Sequence, residues 1–193
     1  MNAKRTYYSI DVEASGPVPG LFNLVSLGAV PVFPRGEGTF EVGESFYVEL
    51  RPAFAGSDPG ANKVHGLDLE RLGREGLEPA EALRRLVAFV EATKLPGSKA
   101  VFVGHNAPFD WMYVNWYFAW TGVANPFGYN AIDTKSLAMG VLRVPWDETN
   151  KERIVPALGL ALQDEATLHR ADADARHQAD LLVALLKRAE IPE

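Results

Sequence analysis

Two carboxylates stand two residues apart near the start of the chain, Asp11 and Glu13 in YYSIDVE. Positions i and i+2 of a strand share a face. Two acids on one face of a half-buried strand repel each other and resist desolvation unless a cation neutralises them. They are candidates for a divalent-cation site; the plainer alternative is a strand end whose acids face water. A third acid, Asp110, closes GHNAPFD (104–110). The apolar run before it stops at Gly104, and Pro108 suits the first position of a helix, so Asp110 falls in a first turn, where the macrodipole favours a carboxylate. Acids are common there, and by spacing alone His105 and Asn106 are turn residues and Phe109 a core anchor. The fourth acid lies in HRADADARHQAD (169–180). His169 precedes the helix and Asp174 sits inside it. Asp174, His177 and Gln178 share a helical face that continues into Leu181 and Leu185, so this face turns toward the core. Asp172 and Asp180 point elsewhere, toward solvent.

Asp11, Glu13, Asp110 and Asp174 thus come from three separated elements. An all-oxygen donor set suits magnesium or manganese and not structural zinc. Two such ions about 3.5–4 Å apart can clamp the attacking and leaving oxygens of an in-line phosphoryl displacement. A histidine, with an ordinary pKa of about 6.5, can take the proton of the attacking water at cellular pH. His169, before its helix, is freer to do so than His177, held on it.

These residues need a scaffold. Tyr8, Ile10 and Val12 alternate with Ser9, Asp11 and Glu13, a strand pattern. The runs 24–32 and 44–50 read as two more strands, joined by the turn-forming FPRGEG in an antiparallel meander. Segment 51–66 reads as loop, with helices near 68–73 and over 78–93. A buried strand over 99–106 precedes a helix over 108–120. A brief strand over 129–133 is followed by a helix over 134–142 capped by Thr134. A polar connection leads to the short helical IVPALGLAL and a last helix over 170–189. Strands first, then alternating helices and strands, predict an α/β fold: a mixed sheet of about five strands covered by helices.

The chain has 193 residues, 47% hydrophobic and 23% charged, which predicts one globular domain over 1–193. The absence of cysteine excludes disulfides and thiolate metal sites. With no apolar leader at the start and no apolar run of about 18 residues, the expectation is a cytoplasmic chain with no membrane span. Net charge is −6, and the nearest approach to a basic run is Arg84-Arg85. Such a chain is expected to hold only a short stretch of nucleic acid, with metal ions offsetting the phosphate charge.

With D-V-E at 11–13, H-N-A-P-F-D at 105–110 and H-R-A-D-A-D-A at 169–175, the chain resembles the DEDD 3′–5′ exonucleases of the histidine branch, which include oligoribonuclease, ribonuclease T and the proofreading subunit of bacterial replicative DNA polymerase. Val64-His65-Gly66-Leu67 and Ile132-Asp133-Thr134 resemble two further segments of that family. Each motif is weak alone; the ordered set spans nearly the whole chain. The resemblance implies a ribonuclease H-like fold, a five-stranded mixed sheet with the second strand antiparallel to the rest. It implies that Asp11, Glu13, Asp110 and Asp174 hold two magnesium or manganese ions. It makes His169 the general base, since the family's histidine stands five residues before its aspartate. It also makes Ser15, His65, Asn106 and Phe109 candidate substrate contacts. One departure is D-V-E-A-S-G, where relatives have D-x-E-T-T-G; Ala14 lacks the hydroxyl. The segment 142–152, with Trp146, has no counterpart in the motifs.

The implied function is metal-dependent removal of nucleoside 5′-monophosphates from the 3′ end of single-stranded RNA or DNA. The alternatives are a catalytically silent nucleic-acid-binding domain of the same fold and a different two-metal phosphohydrolase. Trp111, Tyr113, Trp116, Tyr117, Phe118 and Trp120 crowd one helix. Tyr113 and Trp111, nearest Asp110, are the candidates for stacking on bases, and an exposed aromatic surface motivates the expectation of a homodimer.

Overall fold

The alternation of YYSIDVE becomes the central strand, β1 (Arg5–Ala14). Tyr8, Ile10 and Val12 face a layer made by α3 (Pro79–Thr93) and α4 (Ala107–Thr121), where Leu83, Leu86, Tyr113 and Tyr117 complete a buried cluster. Tyr7 faces the opposite layer, packed with Ala175, Ala179 and Leu182 of α7 (Ala171–Arg188). Strand parity places Asp11 and Glu13 on this second face. A computed structural model describes residues 5–190; the expected domain over 1–193 reaches at each end outside the described residues. Among these residues no helix is long and apolar enough to cross a membrane.

The sheet order is β3-β2-β1-β5-β6, with β4 also beside β2. β2 (Leu24–Gly36) runs antiparallel to β1, while β5 (Lys99–Gly104) and β6 (Ala131–Asp133) run parallel to it. β3 (Thr39–Val42) pairs with Val32–Gly36, and β4 (Phe46–Glu49) pairs with Ser26–Ala29. The two short strands share one edge, so six strands occupy five lanes of a ribonuclease H-like mixed sheet. Only the end of FPRGEG therefore connects strands, and it leads to β3 and not directly to the strand over 44–50. β2 runs on through Pro34 to Gly36, and Glu37 and Gly38, both with positive φ, make the tight hairpin to β3.

Three further differences are local. Segment 51–66 is not all loop: α1 (Pro59–His65) is capped by Asp58, whose side chain accepts from the amides of Gly60 and Ala61, and ends at left-handed Gly66. Seven residues are too few for periodicity to show. α2 (Leu69–Glu75) follows. α5 (Thr134–Leu142) is capped by Asp133, not Thr134, whose hydroxyl turns inward to the carbonyl of Gly104. After a short 3₁₀ turn at Trp146–Glu148, α6 (Lys151–Ala157) begins before the apolar IVPALGLAL. Its Ile154 and Val155 pack with Leu181 and Leu185 of α7, so the face carrying Asp174 and Gln178 is buried along its length.

Candidate active site

Asp11 lies opposite Gly28 of β2, and Glu13 opposite Ser26. A Cβ on Gly28 would lie 2.1 Å from the carbonyl oxygen of Ala171. The bare backbone of β2 thus lets the first turn of α7 rest directly on the sheet, and Asp174 arrives beside the β1 acids. Carboxylate oxygens of Asp11, Glu13 and Asp174 lie within 4.8 Å of one another. One turn further along α7, Gln178 donates from Nε2 to Asp11 Oδ1 at 2.6 Å and accepts from the amide of His105 at 3.1 Å. It ties β1 to the turn between β5 and α4.

That turn delivers Asp110. Asn106 adopts φ 66°, and a Cβ on Gly104 would lie 3.1 Å from Ala107 Cα and 3.3 Å from Asp110 Oδ2, so the chain reverses tightly into α4. Parallel pairing of β1 with β5 ends at Ser9 and Val103, and the amide of Val12 is free to donate to Asp110 Oδ1 at 3.0 Å. Asp133 braces the same corner. Its Oδ1 accepts from the amides of Asn106 and Ala107 at 2.9 and 3.1 Å, while the same carboxylate caps α5.

Burial and crowding raise the pKa of three of these acids. Burial, then the charge of Asp174, pushes Asp11 up to about 7. Burial, then Asp11 and Asp174, pushes Glu13 up to about 9. Asp110 is raised well above the carboxylate range by burial and then by Asp11. Lys151 of α6 opposes each of these shifts, its Nζ 3.5 Å from Asp174 Oδ1. Asp174 Oδ2 is buried without a hydrogen-bond partner. An all-oxygen cluster with a buried orphan oxygen and mutual repulsion fits a hard divalent cation, which would relieve each of these costs.

A model of the Rv2179c-like 3′–5′ exoribonuclease domain matches residues 6–186. The chain belongs to that family. The activity class comes with it: this is a 3′–5′ exonuclease. A curated relative, the 3′–5′ DNA exonuclease Cap18 of Escherichia coli, is 35% identical over 97% of this chain and 95% of its own. Ribonuclease T of Photorhabdus laumondii is 29% identical over 95% of this chain and 86% of its own. The nuclease domain of 3′hExo, a DEDDh member solved with rAMP, shares the fold at a TM-score of 0.76 and 16% identity, covering 92% of this chain and 90% of that one.

The residues expected around the family's acids take different places. His169 is exposed on the turn before α7, with φ 61°, and it is near enough to His65 to join burial in lowering that histidine's pKa. His177 stands apart, its Nε2 3.1 Å from the carbonyl of Ala161. A pocket of about 400 Å³ opens beside Glu13, and Ala14, Phe109 and Val64 help to line it. Ser15, expected as a substrate contact, has its side chain inside the turn. It is fully buried, and its hydroxyl donates to Gly56 while accepting from the amide and side chain of Asn23, so it holds the turn together. His65 is buried, with Nδ1 accepting from the amide of Leu67. Asn106 is exposed on the other side of the acids, in a second cleft with Lys135, Trp146 and Lys151.

Tyr113 is wholly buried and donates to the carbonyl of Gly16, so it serves the core and not base stacking, while Trp111 is partly buried and packs edge-on against Phe102. Tyr117 and Phe118 are buried too, while Trp116, like Trp111, is partly buried and Trp120 is exposed. Asp172 is only partly exposed, and its Oδ1 is buried, unlike the solvated acid expected.

Sequence reasoning placed Gln178 beside Asp174 but missed its bond to Asp11, as it missed Lys151 and the bracing role of Asp133. Lys151 carried one signal: a cation in a first helical turn opposes the macrodipole and so invites another explanation.

Proposed function

We propose that this exonuclease, as a single domain over 1–193, hydrolyses the 3′-terminal phosphodiester of single-stranded nucleic acid and releases nucleoside 5′-monophosphates. The reading rests on one observation above all: carboxylate oxygens from β1 and α7 meet within 4.8 Å, with Asp110 near enough to feel the charge of Asp11. Asp11, Glu13, Asp110 and Asp174 would hold two magnesium or manganese ions, with Asp11, central to the acids, serving both, Glu13 and Asp174 one and Asp110 the other. When bound, such ions supply the positive charge that activates water and stabilises the departing 3′-oxygen. The protein's own groups do the rest. Gln178 fixes the orientation of Asp11. The pocket beside Glu13, with Ala14 and Phe109, takes the terminal nucleoside. His169, on its turn at the open side, accepts the proton of the attacking water at a ring nitrogen and passes it to solvent.

The test is a gel time course with 5′-labelled single-stranded RNA and DNA of equal sequence, in magnesium or manganese, comparing wild type with Asp11→Ala. Shortening from the 3′ end, absent in the variant and absent on a circular strand, is the expected result, with 5′-monophosphates as product. The family is described by RNA and the Escherichia coli relative by DNA, so the faster ladder names the preferred sugar. No shortening of either strand with either metal would overturn the reading and favour a silent binding domain.

A further inference from the structure

The acids are flanked by two hollows. One is the pocket beside Glu13 already assigned to the terminal nucleoside. The other is a cleft of about 510 Å³ between the start of α4 and the segment 146–152. Its polar walls carry two lysines in a chain whose net charge is −6. Lys151 reaches Asp174 from it. Lys135 is held further out: its Nζ donates to Asn150 Oδ1 at 3.1 Å and stands 4.6 Å from the ring centroid of Trp146. An amide and an aromatic face orient an ammonium without cancelling its charge. Both lysines lie in the first turns of helices, where the dipole disfavours a cation, so helix stability does not account for them. Glu152 at the rim is the one acid of the lining.

An exonuclease meets nucleic acid on only one side of the scissile phosphate beyond the terminal nucleoside, the 5′ side. Resting on the exonuclease reading above, we infer that the Lys135–Trp146–Lys151 cleft binds a backbone phosphate of the strand 5′ to the scissile bond. Lys135 is the outer contact, Trp146 and Asn150 position it, and Lys151 is the inner contact next to the acids. The positive flank draws a polyanion toward a cluster of carboxylates that would otherwise repel it.

The experiment compares two substrates that share the chemical step. One is the p-nitrophenyl ester of thymidine 5′-monophosphate, which has no upstream phosphate. The other is a single strand of about ten nucleotides. For Lys135→Gln, the ratio of kcat/KM on the strand to that on the ester is expected to fall about tenfold. The slope of log kcat/KM against log salt on the strand should flatten by about 0.7, one phosphate contact on a single strand. Trp146→Ala should lower the ratio in the same direction, and Lys135→Arg should restore most of it. An unchanged ratio and slope, or an equal fall on both substrates, would overturn the inference. Wild type inactive on both substrates would sink the hydrolytic reading instead. The cleft is then judged by fluorescence anisotropy of a labelled strand, where equal affinity for wild type and Lys135→Gln overturns it as well.

Discussion

Each polar side chain near the acids has a distinct job that a substitution can separate. His169 is on a turn and His177 is fixed to a helix with its Nε2 at a backbone carbonyl. His169→Ala is expected to lower kcat by about 100-fold or more, whereas His177→Ala leaves it within about threefold; single-turnover kinetics at saturating substrate checks both. Equal losses would remove His169 from its assigned role. Gln178 donates to one oxygen of a candidate ligand and accepts from the amide of His105. Gln178→Ala should raise the metal concentration for half-maximal activity by about tenfold, alongside a stability loss of about 1–3 kcal/mol from the unpaired amide. A metal titration followed by initial rates shows this, and an unchanged midpoint would mean that Asp11 needs no orienting partner.

At the scale of elements, the site depends on how closely two backbones approach. Gly28 is in an apolar strand with no turn to explain it, and the carbonyl of Ala171 occupies the space of its missing side chain. Gly28→Ala must push the first turn of α7 away from β2. The expected cost is about 1–3 kcal/mol of stability, the ordinary scale of overpacking. Activity should fall further than stability explains, since Asp174 moves with that turn. Denaturant unfolding alongside kcat separates the two effects, and full activity in a destabilised variant would contradict the docking argument. Asp133→Ala removes a helix cap and the brace on Asn106 and Ala107 together. A loss of about 0.5–2 kcal/mol comes from the cap alone.

The whole molecule stores like charges inside its fold, and its stability should report them. Unfolded Asp and Glu titrate near about 4, while Asp11 and Glu13 are raised to about 7 and about 9 in the folded chain. Between those limits the folded state holds more protons, so stability falls as pH rises through the window. His105, lowered to about 3 by burial, acts in the opposite sense only up to the ordinary histidine range. From about pH 7 to about 9 Glu13 still contributes, together with Asp110, which is also raised well above the carboxylate range. In chelator, the melting temperature should drop across this interval, less in Glu13→Gln, and a divalent cation should offset the drop. A flat wild-type profile would contradict it. Much of this design is written locally. Alternation in β1 places Asp11 and Glu13 on one face, and helical spacing in α7 aims Asp174 and Gln178 inward, because a side chain's direction follows from the period of its own element. The sequence also carries the turn of Gly104 and Pro108 that puts Asp110 in a first turn. It does not show that Gln178 bonds Asp11 across 167 residues, that Lys151 reaches Asp174, or that Ser15 faces inward. Nor does it show that β2 continues past Pro34 into a hairpin. These depend on which elements pack together and how closely, and no local period encodes the distance between two backbones. Only the tertiary structure decides it.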